Sequence, residues 1–510
     1  MQPLRQLAWT LPEHFMLSDL HAGLGDTFDL KPGRTKKHNR CWYDTFDWRL
    51  FRNKRLLTRE GNQWLLHDFQ GNTLQTLASR RKSFRFSWDF PDSPLADALS
   101  KFLDVRALKE LGGEEVESSE VCILNRDKKI VAFLELQTSI NRSSGHRLQT
   151  VRLQEVRGYS KWFKQAADFV QRFGVMQQAG PAEALRVLLQ GSGREPLDYS
   201  SGYNVALDPQ MTSIEAVGHI YRSLLESMQR NEQGVIEDLD TEFLHDLRVA
   251  VRRTRSALAL IKDVLAPELS DRFKKEFRYI GRMTGPVRDL DVYLLSEEEY
   301  KARLPERLQE GLGYFFEDLA ARRKREQRTL VRFLRSPRYK RILVDWEQVL
   351  DQEGELEAGK NGAVPIGVLA GKIIHKRFRR VLRDGRKIHQ GTPDSELHRL
   401  RIEGKKLRYS LEFFASLYDQ EQMKQMIRQL KILQNNLGDF NDLSVQQEML
   451  AGYLSQIRPG TKKSRELAAA IGGLMTNLAD RHREVRTHFE ETFAHFAGKK
   501  NLVLYHSLFG

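Results

Sequence analysis

The 510-residue sequence has little cysteine and no long apolar run. Its two cysteines, Cys41 and Cys122, do not form the C-x-x-C pair of zinc and redox sites, and they cannot build a disulfide framework. The opening residues MQPLRQLAWTLPEHF lack the apolar run of a secretory signal, and no stretch approaches the ~20 apolar residues of a membrane span. We therefore expect a cytoplasmic protein with no membrane attachment.

What the chain has instead is positive charge. It carries 82 Lys and Arg against 68 Asp and Glu, which gives a net charge of +14. Such an excess favours polyanionic partners, and it does not distinguish nucleic acid, anionic membrane and polymeric phosphate from one another. The composition, 40% hydrophobic and 29% charged, is that of an ordered globular protein with room for about two to four domains.

Residues 1–190 differ in pattern from the rest of the chain. They contain short segments of alternating polarity separated by turns, which is typical of strands, and we predict an α+β domain with an antiparallel sheet. The predicted strands lie within residues 42–51, 61–69, 82–90, 121–138 and 146–158, and the predicted helices within 94–111 and 161–174.

From about residue 211 the pattern becomes helical. Residues 191–210 are rich in Gly, Ser and Pro, which predicts a linker. Apolar residues then recur at helical spacing from 211 to 497, and we expect an all-α domain there, with 498–510 as a C-terminal tail.

The helical part contains an internal repeat. A shift of 153 positions brings together, without a gap over some 70 residues, Gly218 and Gly371, His245 and His398, Arg248 and Arg401, Leu258 and Leu411, Gly285 and Gly438, and Asp289 and Asp442. This offset predicts a duplicated helical unit, with repeat 1 at about 211–345 and repeat 2 at about 364–497.

Each copy of the repeat carries a stripe of basic residues. The first stripe is His245, Arg248, Arg252, Arg253 and Arg255, and the second is His398, Arg401, Lys405, Lys406 and Arg408. At ~100° per residue, positions 245, 248, 252 and 255 fall within about 80° and span about 15 Å of helix. The neighbouring sector is apolar and should be buried, so we expect the cations along the edge of a groove; its residues are Leu247, Val251, Leu258, Ile261 and Leu265, and in the second copy Leu400, Leu407, Leu411 and Phe414.

Further basic helices accompany the stripes. Residues 322–341 hold ten Lys and Arg against one Glu, and 372–387 hold eight against one Asp. Few acids stand near the stripes, so we expect repulsion that a bound anion would relieve. Cations that share a helix face in these segments are additional candidates for the anion site, namely Arg325, Arg328, Arg332, Lys372, Lys376, Arg379 and Arg383.

The residue types favour a phosphate polymer over nucleic acid. A linear polyphosphate needs only spaced cations, whereas the basic helices lack zinc-finger spacing, an RNP-like motif and the aromatic residues on which bases stack. His245 and His398 are candidates for phosphate hydrogen bonding or for a structural role; metal binding is disfavoured because arginines stand beside them. Four acids are expected to pair with arginines or cap helices rather than bind Mg²⁺: Asp289, Asp291, Asp439 and Asp442.

The repeat resembles the CHAD family, a helical domain whose signature is His-x-x-Arg-x-x-x-Arg-Arg-x-Arg in two copies. The resemblance covers roughly 211–497 and includes the segments GPVRDLDV (285–292) and LGDFNDLSV (437–445). It implies two four-helix bundles related by a pseudo-two-fold axis, basic helices that line a central channel, and inorganic polyphosphate as the ligand. It also suggests targeting to polyphosphate granules.

Residues 41–66 are similar to the CYTH family of triphosphate-tunnel proteins, which often precede CHAD domains. The resemblance covers about 1–190, and the residues that match are Tyr43, Asp44, Thr45, Arg49, Leu50, Arg59, Glu60, Gly61 and Trp64. It implies a tunnel in which cations hold triphosphate and carboxylates hold a divalent metal.

Three departures from the CYTH pattern bear on catalysis. RQLAWTL stands where the family has a Glu-x-Glu-x-Lys strand, His67 and Asp68 replace a lysine, and Glu155 is alone in VRLQEV. We therefore predict a degenerate tunnel with no catalytic residue, no metal site and no cofactor. The alternatives are an active metal-dependent tri- or polyphosphate phosphohydrolase in this half, and a nucleic-acid-binding protein.

Overall fold

The computed structural model describes residues 5–11, 22–25, 27–172, 180–190, 192–351 and 357–509. The chain divides into two compact units, Met1–Ser201 and Gly202–Gly510. Residues 173–174, the end of one predicted helix, lie outside the described residues.

The first unit is built on one antiparallel sheet. Its eight strands have the order β1-β8-β7-β6-β2-β3-β4-β5, with bounds β1 Gln6–Leu11, β2 Asp29–Thr45, β3 Arg55–Glu60, β4 Gln63–Asp68, β5 Thr73–Ala78, β6 Leu108–Leu124, β7 Ile130–Asn141 and β8 Arg147–Glu155. Helices accompany the sheet: α1 Arg49–Arg52, α2 Pro94–Leu103, α3 Ser160–Arg172 and α4 Pro181–Leu189. The predicted α+β class with an antiparallel sheet is confirmed.

Three predicted segments of this unit are wrong in part. The strand predicted at 42–51 ends at Thr45, because the buried carboxylate of Asp44 accepts hydrogen bonds from the backbone N–H groups of Thr45, Leu50 and Phe51 and closes a turn. The helix predicted to 111 ends at Leu103, since the next residue has a φ of 51°. Residues 82–90 form no strand; they hold a short 3-10 helix at Ser87–Asp89.

The second unit is helical. Its helices are α5 Ser213–Ile236, α6 Thr241–Leu260, α7 Pro267–Met283, α8 Gly285–Leu295, α9 Glu297–Ala302, α10 Glu306–Leu334, α11 Pro337–Asp351, α12 Ile366–Gly385, α13 Asp394–Phe413, α14 Gln420–Leu454, α15 Lys462–Thr487, α16 Phe489–Phe496 and α17 Lys499–Phe509. The predicted all-α domain is confirmed. None of the helices in the described ranges is long and apolar enough to cross a membrane.

The C-terminal end of the second unit is held by aromatic packing. In α17, within the predicted tail, Tyr505 is buried and its ring stacks on Phe378 of α12 at 3.7 Å between centroids.

The predicted linker is held by hydrogen bonds on each side of the unit boundary. Asp198 accepts from the indole N–H of Trp48 at 2.6 Å, and the backbone N–H of Leu207 donates to Ser416 Oγ at 3.1 Å.

Helix bounds in the second unit recur at the spacing of the sequence repeat. Helices α5 and α12 begin 153 positions apart, and α6 and α13 both begin and end 153 positions apart. The N-termini of α5 and α12 also pair with each other: Ser213 N–H donates to the Val364 carbonyl at 2.9 Å, and Ile366 N–H donates to the Met211 carbonyl at 2.9 Å. The equivalent helices α5 and α12 therefore meet at their first turns.

Helices α6 and α13 bury the apolar sector that their sequences predict. Leu247, Val251 and Leu258 of the first copy are buried, as are Leu400, Leu407 and Leu411 of the second. Burial of these side chains fixes the rotation of each helix and places the basic residues at the edge of the core.

Candidate polyanion site

The two basic stripes lie on helices that pack against each other. Helix α6 packs on α5, α7 and α13, and its N-terminus is capped by Asp240, whose carboxylate accepts from the backbone N–H groups of Glu242 and Phe243. A direct contact joins the first stripe to α13: Arg252 Nε donates to the Tyr409 hydroxyl, next to the second stripe, at 2.7 Å. Cations from both copies are therefore neighbours.

Neutral oxygens hold Arg248 of the first copy, and Arg255 lies close to a glycine. Arg248 Nη1 donates to the Gly281 carbonyl and to Thr284 Oγ1, both at 3.0 Å. A Cβ atom at Gly281 would stand 3.2 Å from Arg255 Nη1, and one at Gly285 would stand 3.5 Å from Arg248 Nη1. Gly281 thus allows the guanidinium group of Arg255 to approach α7 closely, whereas a Cβ atom at Gly285 would make only an ordinary contact with Arg248.

The electrostatic surroundings of Arg248 are mostly positive. Burial lowers its pKa, Asp289 opposes that change, and repulsion from Arg252 and Arg288 adds to it. Burial and then Arg278 likewise lower the pKa of Arg255. Both guanidinium groups remain protonated. Because they repel each other and their basic neighbours, a bound anion would stabilise this site.

In the second copy the equivalent arginine has an acidic partner. Arg401 Nη2 donates to Asp442 Oδ1 at 3.2 Å, and Asp442 occupies the position equivalent to Asp289. His398, which is exposed, contacts Asn441 Oδ1 through Nδ1 at 2.7 Å, while its counterpart His245 is half-buried on α6. Of the four acids expected to pair with arginines, Asp442 does so, and Asp291 pairs with Arg323 at 2.8 Å.

Lys405 lies where the two stripes converge. Burial, followed by Arg401, Arg252 and Arg408, lowers its pKa to about 8, and Asp442 only partly opposes this. Arg252 is the residue equivalent to Lys405 in the other copy. The two equivalent cations are thus close enough to repel each other, which places like charge from both repeats at one point.

Acids on α13 neutralise part of the stripes, and this corrects the expectation that few acids stand near them. Glu412 accepts from Arg253 at 3.2 Å and from Arg408 at 2.6 Å. The buried Glu403 accepts from Lys406 at 2.7 Å and from Arg377 at 3.3 Å. The charges of Arg253, Lys406 and Arg408 are therefore partly neutralised within the protein, because each of the two carboxylates is shared by more than one cation.

The other predicted cations fall into two separate groups. Arg325, Arg328 and Arg332 are exposed on α10, which packs on α5, α8 and α15. The four from α12 line a depression of about 980 Å³ whose wall also includes Arg386, Lys387 and Phe509; they are Lys372, Lys376, Arg379 and Arg383. We call this depression the α12 groove.

Two residues of the site were missed by sequence reasoning. Arg278 of α7 acts on Arg255, and Tyr409 holds Arg252. The repeat itself could have indicated Arg278, because Lys431 stands 153 positions later and is also basic. Nothing in the sequence indicates Tyr409, whose counterpart is Ser256.

The first unit contains a small polar cavity of about 260 Å³. Its cations are paired: Arg40 Nε lies 2.6 Å from Glu60, Arg40 Nη1 lies 3.0 Å from Glu114, and Arg152 Nη1 lies 3.3 Å from Glu135. His67 contacts Thr58 through Nε2 and Thr73 through Nδ1. The wall therefore offers no surplus of positive charge.

The donor set of this unit does not fit a metal-bound triphosphate. Glu60 is occupied by Arg40 and lies 3.3 Å from His38 Nε2, and Glu155 accepts from Ser160 and from the backbone N–H of Arg5. Over the described stretches, no group of three or more His, Cys, Asp and Glu side chains is arranged to hold a metal ion.

Comparison with known proteins identifies one part of the chain. Residues 219–451 match the CHAD domain, so this segment is a CHAD domain. A curated relative, the uncharacterized protein MT2285 of Mycobacterium tuberculosis (strain CDC 1551 / Oshkosh), is 26% identical over 219 residues; the match covers 41% of this chain and 39% of the relative's length.

Solved structures give further likenesses. The crystal structure of the CHAD domain from the plant Ricinus communis is 27% identical and covers 57% of this chain and 96% of that one, with a TM-score of 0.48. A structure from Bacillus halodurans, described as that of a candidate adenylate cyclase, is 18% identical, covers 34% of this chain and 90% of its own, and has a TM-score of 0.24.

Proposed function

We propose that the second unit binds inorganic polyphosphate through the convergent cations of α6 and α13. The residues that carry the site are Arg248, Arg252, Arg255, Arg401 and Lys405. The observation that supports this most strongly is the position of Lys405, whose pKa is lowered to about 8 by burial and by arginines of both copies. The CHAD domain at 219–451 agrees with this ligand, which the family resemblance implies.

A phosphate polymer would relieve the repulsion that the free site contains. Each phosphate unit offers several acceptor oxygens, guanidinium groups bind such oxygens in pairs, and the Lys405 ammonium binds them as a point charge. The polymer presents this pattern at a regular spacing, so it can contact both stripes in succession. We further propose that the repeats, at about 211–345 and 364–497, form two four-helix bundles around this site.

The remaining candidates extend the proposal to the rest of the polymer. Polyphosphate that leaves the central site would follow exposed cations of the α12 groove or of α10. His245 and His398 would contact phosphate at the outer ends of the stripes. Targeting to polyphosphate granules, a finer part of the same proposal, would follow from the binding of many such chains at once.

For residues 1–190, which lie within the first unit, we propose a degenerate tunnel without catalysis. The internal pairing of Arg40 and Arg152 is the observation behind this choice. The alternative phosphohydrolase is tested by phosphate release from triphosphate and polyphosphate with Mg²⁺ or Mn²⁺; turnover that disappears in Glu60→Gln would replace our proposal for this unit.

The binding proposal is tested by competition between long-chain polyphosphate and DNA of equal total charge. The wild-type chain should prefer polyphosphate, and affinity should fall steeply with salt because counterions are released. The variant Arg252→Glu/Lys405→Glu should lose polyphosphate binding. Its matched control is Lys462→Glu/Lys463→Glu, which changes the net charge equally on exposed residues of α15 and should bind as the wild type does. Equal loss in both variants would mean that net charge alone drives binding.

A further inference from the structure

The first unit presents one tryptophan side chain to solvent. Trp88 is 60% exposed, although the segment around it is anchored in the core. Phe84 and Phe90 are buried, their rings stack at 4.1 Å, and each lies 5.4 Å from the ring of the buried Trp64. The exposure of Trp88 therefore occurs in a well-packed part of the sheet domain.

Hydrogen bonds fix the turn that carries Trp88. Asp89 Oδ2 accepts from the backbone N–H groups of Arg85 at 3.0 Å and Phe86 at 2.9 Å. The backbone N–H of Leu108 donates to the Arg85 carbonyl at 2.6 Å, which ties the turn to the start of β6. This network also explains why residues 82–90 do not form the predicted strand: the bonds that a strand would make to a neighbour are made within the turn.

Trp88 and Phe86 form a flat aromatic surface, which we call the Trp88 platform. Their ring centroids are 4.6 Å apart and their planes differ by 8°. Arg85 lies over the ring of Phe86 at 5.3 Å. Because Phe86 covers one face of the indole and Trp88 is still mostly exposed, the opposite face is available to another flat ring.

Cations precede the platform in the sequence. Arg80, Arg81 and Lys82 are exposed in the loop that leads to it. Arg81 is held by its own hydrogen bond to the Ser83 carbonyl at 3.0 Å and by the ring of Phe84 at 4.9 Å. Over 80–92 four Lys and Arg stand against Asp89 and Asp92, so the segment has a local charge of +2.

We propose that the Trp88 platform binds single-stranded nucleic acid, with a base stacked on the indole and phosphates beside Arg80, Arg81 and Lys82. Binders of single strands combine cations along the backbone with aromatic faces for the bases, and this segment has both. Polyphosphate would gain nothing from the indole, because it has no ring to stack. An anionic membrane fits less well, since membrane affinity grows with buried apolar area and one indole beside a half-buried Phe86 offers little.

The test compares two probes with the full-length chain. A short single-stranded RNA and an abasic ribose-phosphate chain of the same length carry the same charges, and only the RNA can stack. Wild type should bind the RNA more tightly, and Trp88→Ala should weaken RNA binding about tenfold, the order expected for one stacked base. Binding of the abasic chain and of polyphosphate should not change.

Two variants control for loss of fold and loss of apolar surface. Trp88→Phe should retain most of the preference for RNA, because phenylalanine also offers a flat face. Phe133→Ala removes a different exposed aromatic side chain, on β7, and should have no effect. Equal binding of RNA and abasic chain by wild type would overturn the proposal. So would Trp88-dependent binding to phosphatidylserine vesicles without a preference for RNA, which would identify a lipid surface instead.

Discussion

Helices α6 and α13 carry equivalent stripes of cations and hold them differently. On the first helix Arg248 donates to neutral oxygens, those of Gly281 and Thr284. On the second, Arg401 donates to the carboxylate of Asp442, and Arg408 donates to that of Glu412. The same pattern in the sequence therefore gives two electrostatic environments.

The difference shows what determines whether a basic helix can receive an anion. A neutral oxygen orients a guanidinium group and leaves its full charge for a ligand, whereas a carboxylate orients it and also cancels the charge. Glu412 reaches across to Arg253 as well, so an acid of the second copy also acts on the first. Binding strength should follow the partners of each cation rather than their number.

The largest difference that we expect between the two helices is in how much Arg248 and Arg408 contribute to polyphosphate affinity. Arg248→Glu should weaken polyphosphate binding at least tenfold, since a charged hydrogen bond contributes about 1.5–3 kcal/mol and a repulsive charge replaces it. Arg408→Ala should change affinity less than about threefold, because its ion pair with Glu412 already neutralises part of the charge of Arg408. Isothermal titration at constant salt measures both; Arg248→Ala serves as the neutral control. Equal losses for Arg248→Ala and Arg408→Ala would contradict the comparison.

Removal of the shared acid should move binding and stability in opposite directions. Glu412→Gln frees Arg253 and Arg408, so polyphosphate affinity should rise several-fold. The half-buried Arg253 then loses its partner, and the free energy of unfolding should fall by about 1–3 kcal/mol. Denaturant titration and ligand titration of the same variant report the two quantities. A variant that is destabilised and also binds more weakly would show that Glu412 only supports the fold.

Lys405 should give the site a pH dependence above neutrality. Its pKa of about 8 in the free protein lies below the usual lysine value, and bound phosphate would raise it. Affinity should therefore be highest below about pH 7.5 and should fall as the pH rises through 8, because binding then requires proton uptake. Lys405→Arg, which stays protonated, should flatten this slope. Calorimetry in buffers of different ionisation enthalpy counts the protons taken up on binding. The same pH dependence of affinity in the wild type and in Lys405→Arg would show that a group other than Lys405 causes it.

The smallest expected effect concerns α12 and its counterpart α5. Lys372, Lys376, Arg379 and Arg383 of α12 correspond to His219, Ser223, Glu226 and Arg230 of α5, so three of these four cations have no basic Lys or Arg counterpart in the first copy. Lys376→Glu/Arg379→Glu should weaken long polyphosphate about twofold to threefold, by loss of screened exposed contacts, and leave short chains unaffected. Equal loss for short chains would place the α12 groove within the central site.

Much of the helical unit could be predicted because its signals are local. The apolar sector of Leu247, Val251 and Leu258 repeats at helical spacing, and a helix with such a sector must bury it. The offset of 153 likewise predicted which helices are equivalent. Pairing of cations with acids could not be predicted so well. Glu403 lies within the segment of the second stripe and Glu412 follows it on the same helix, but the reach of Glu412 to Arg253 depends on how α6 and α13 pack.

In the first unit the errors occur where side chains reorganise the backbone. A strand pattern at 42–51 and at 82–90 gives way to turns, because Asp44 and Asp89 accept several backbone hydrogen bonds that a strand would have used. The signal is present in each case as an aspartate within an aromatic run. Its effect depends on burial, which a local pattern does not contain.

The most direct test of the central claim is the number of short polyphosphate chains that one protein molecule binds. If equivalent cations of the two copies form a single site, calorimetric titration gives one ligand per protein, and either Arg252→Glu or Lys405→Glu abolishes that binding. If instead each stripe binds its own chain, titration gives two ligands per protein, and each single variant removes only one of them. That second result would contradict a shared site on α6 and α13.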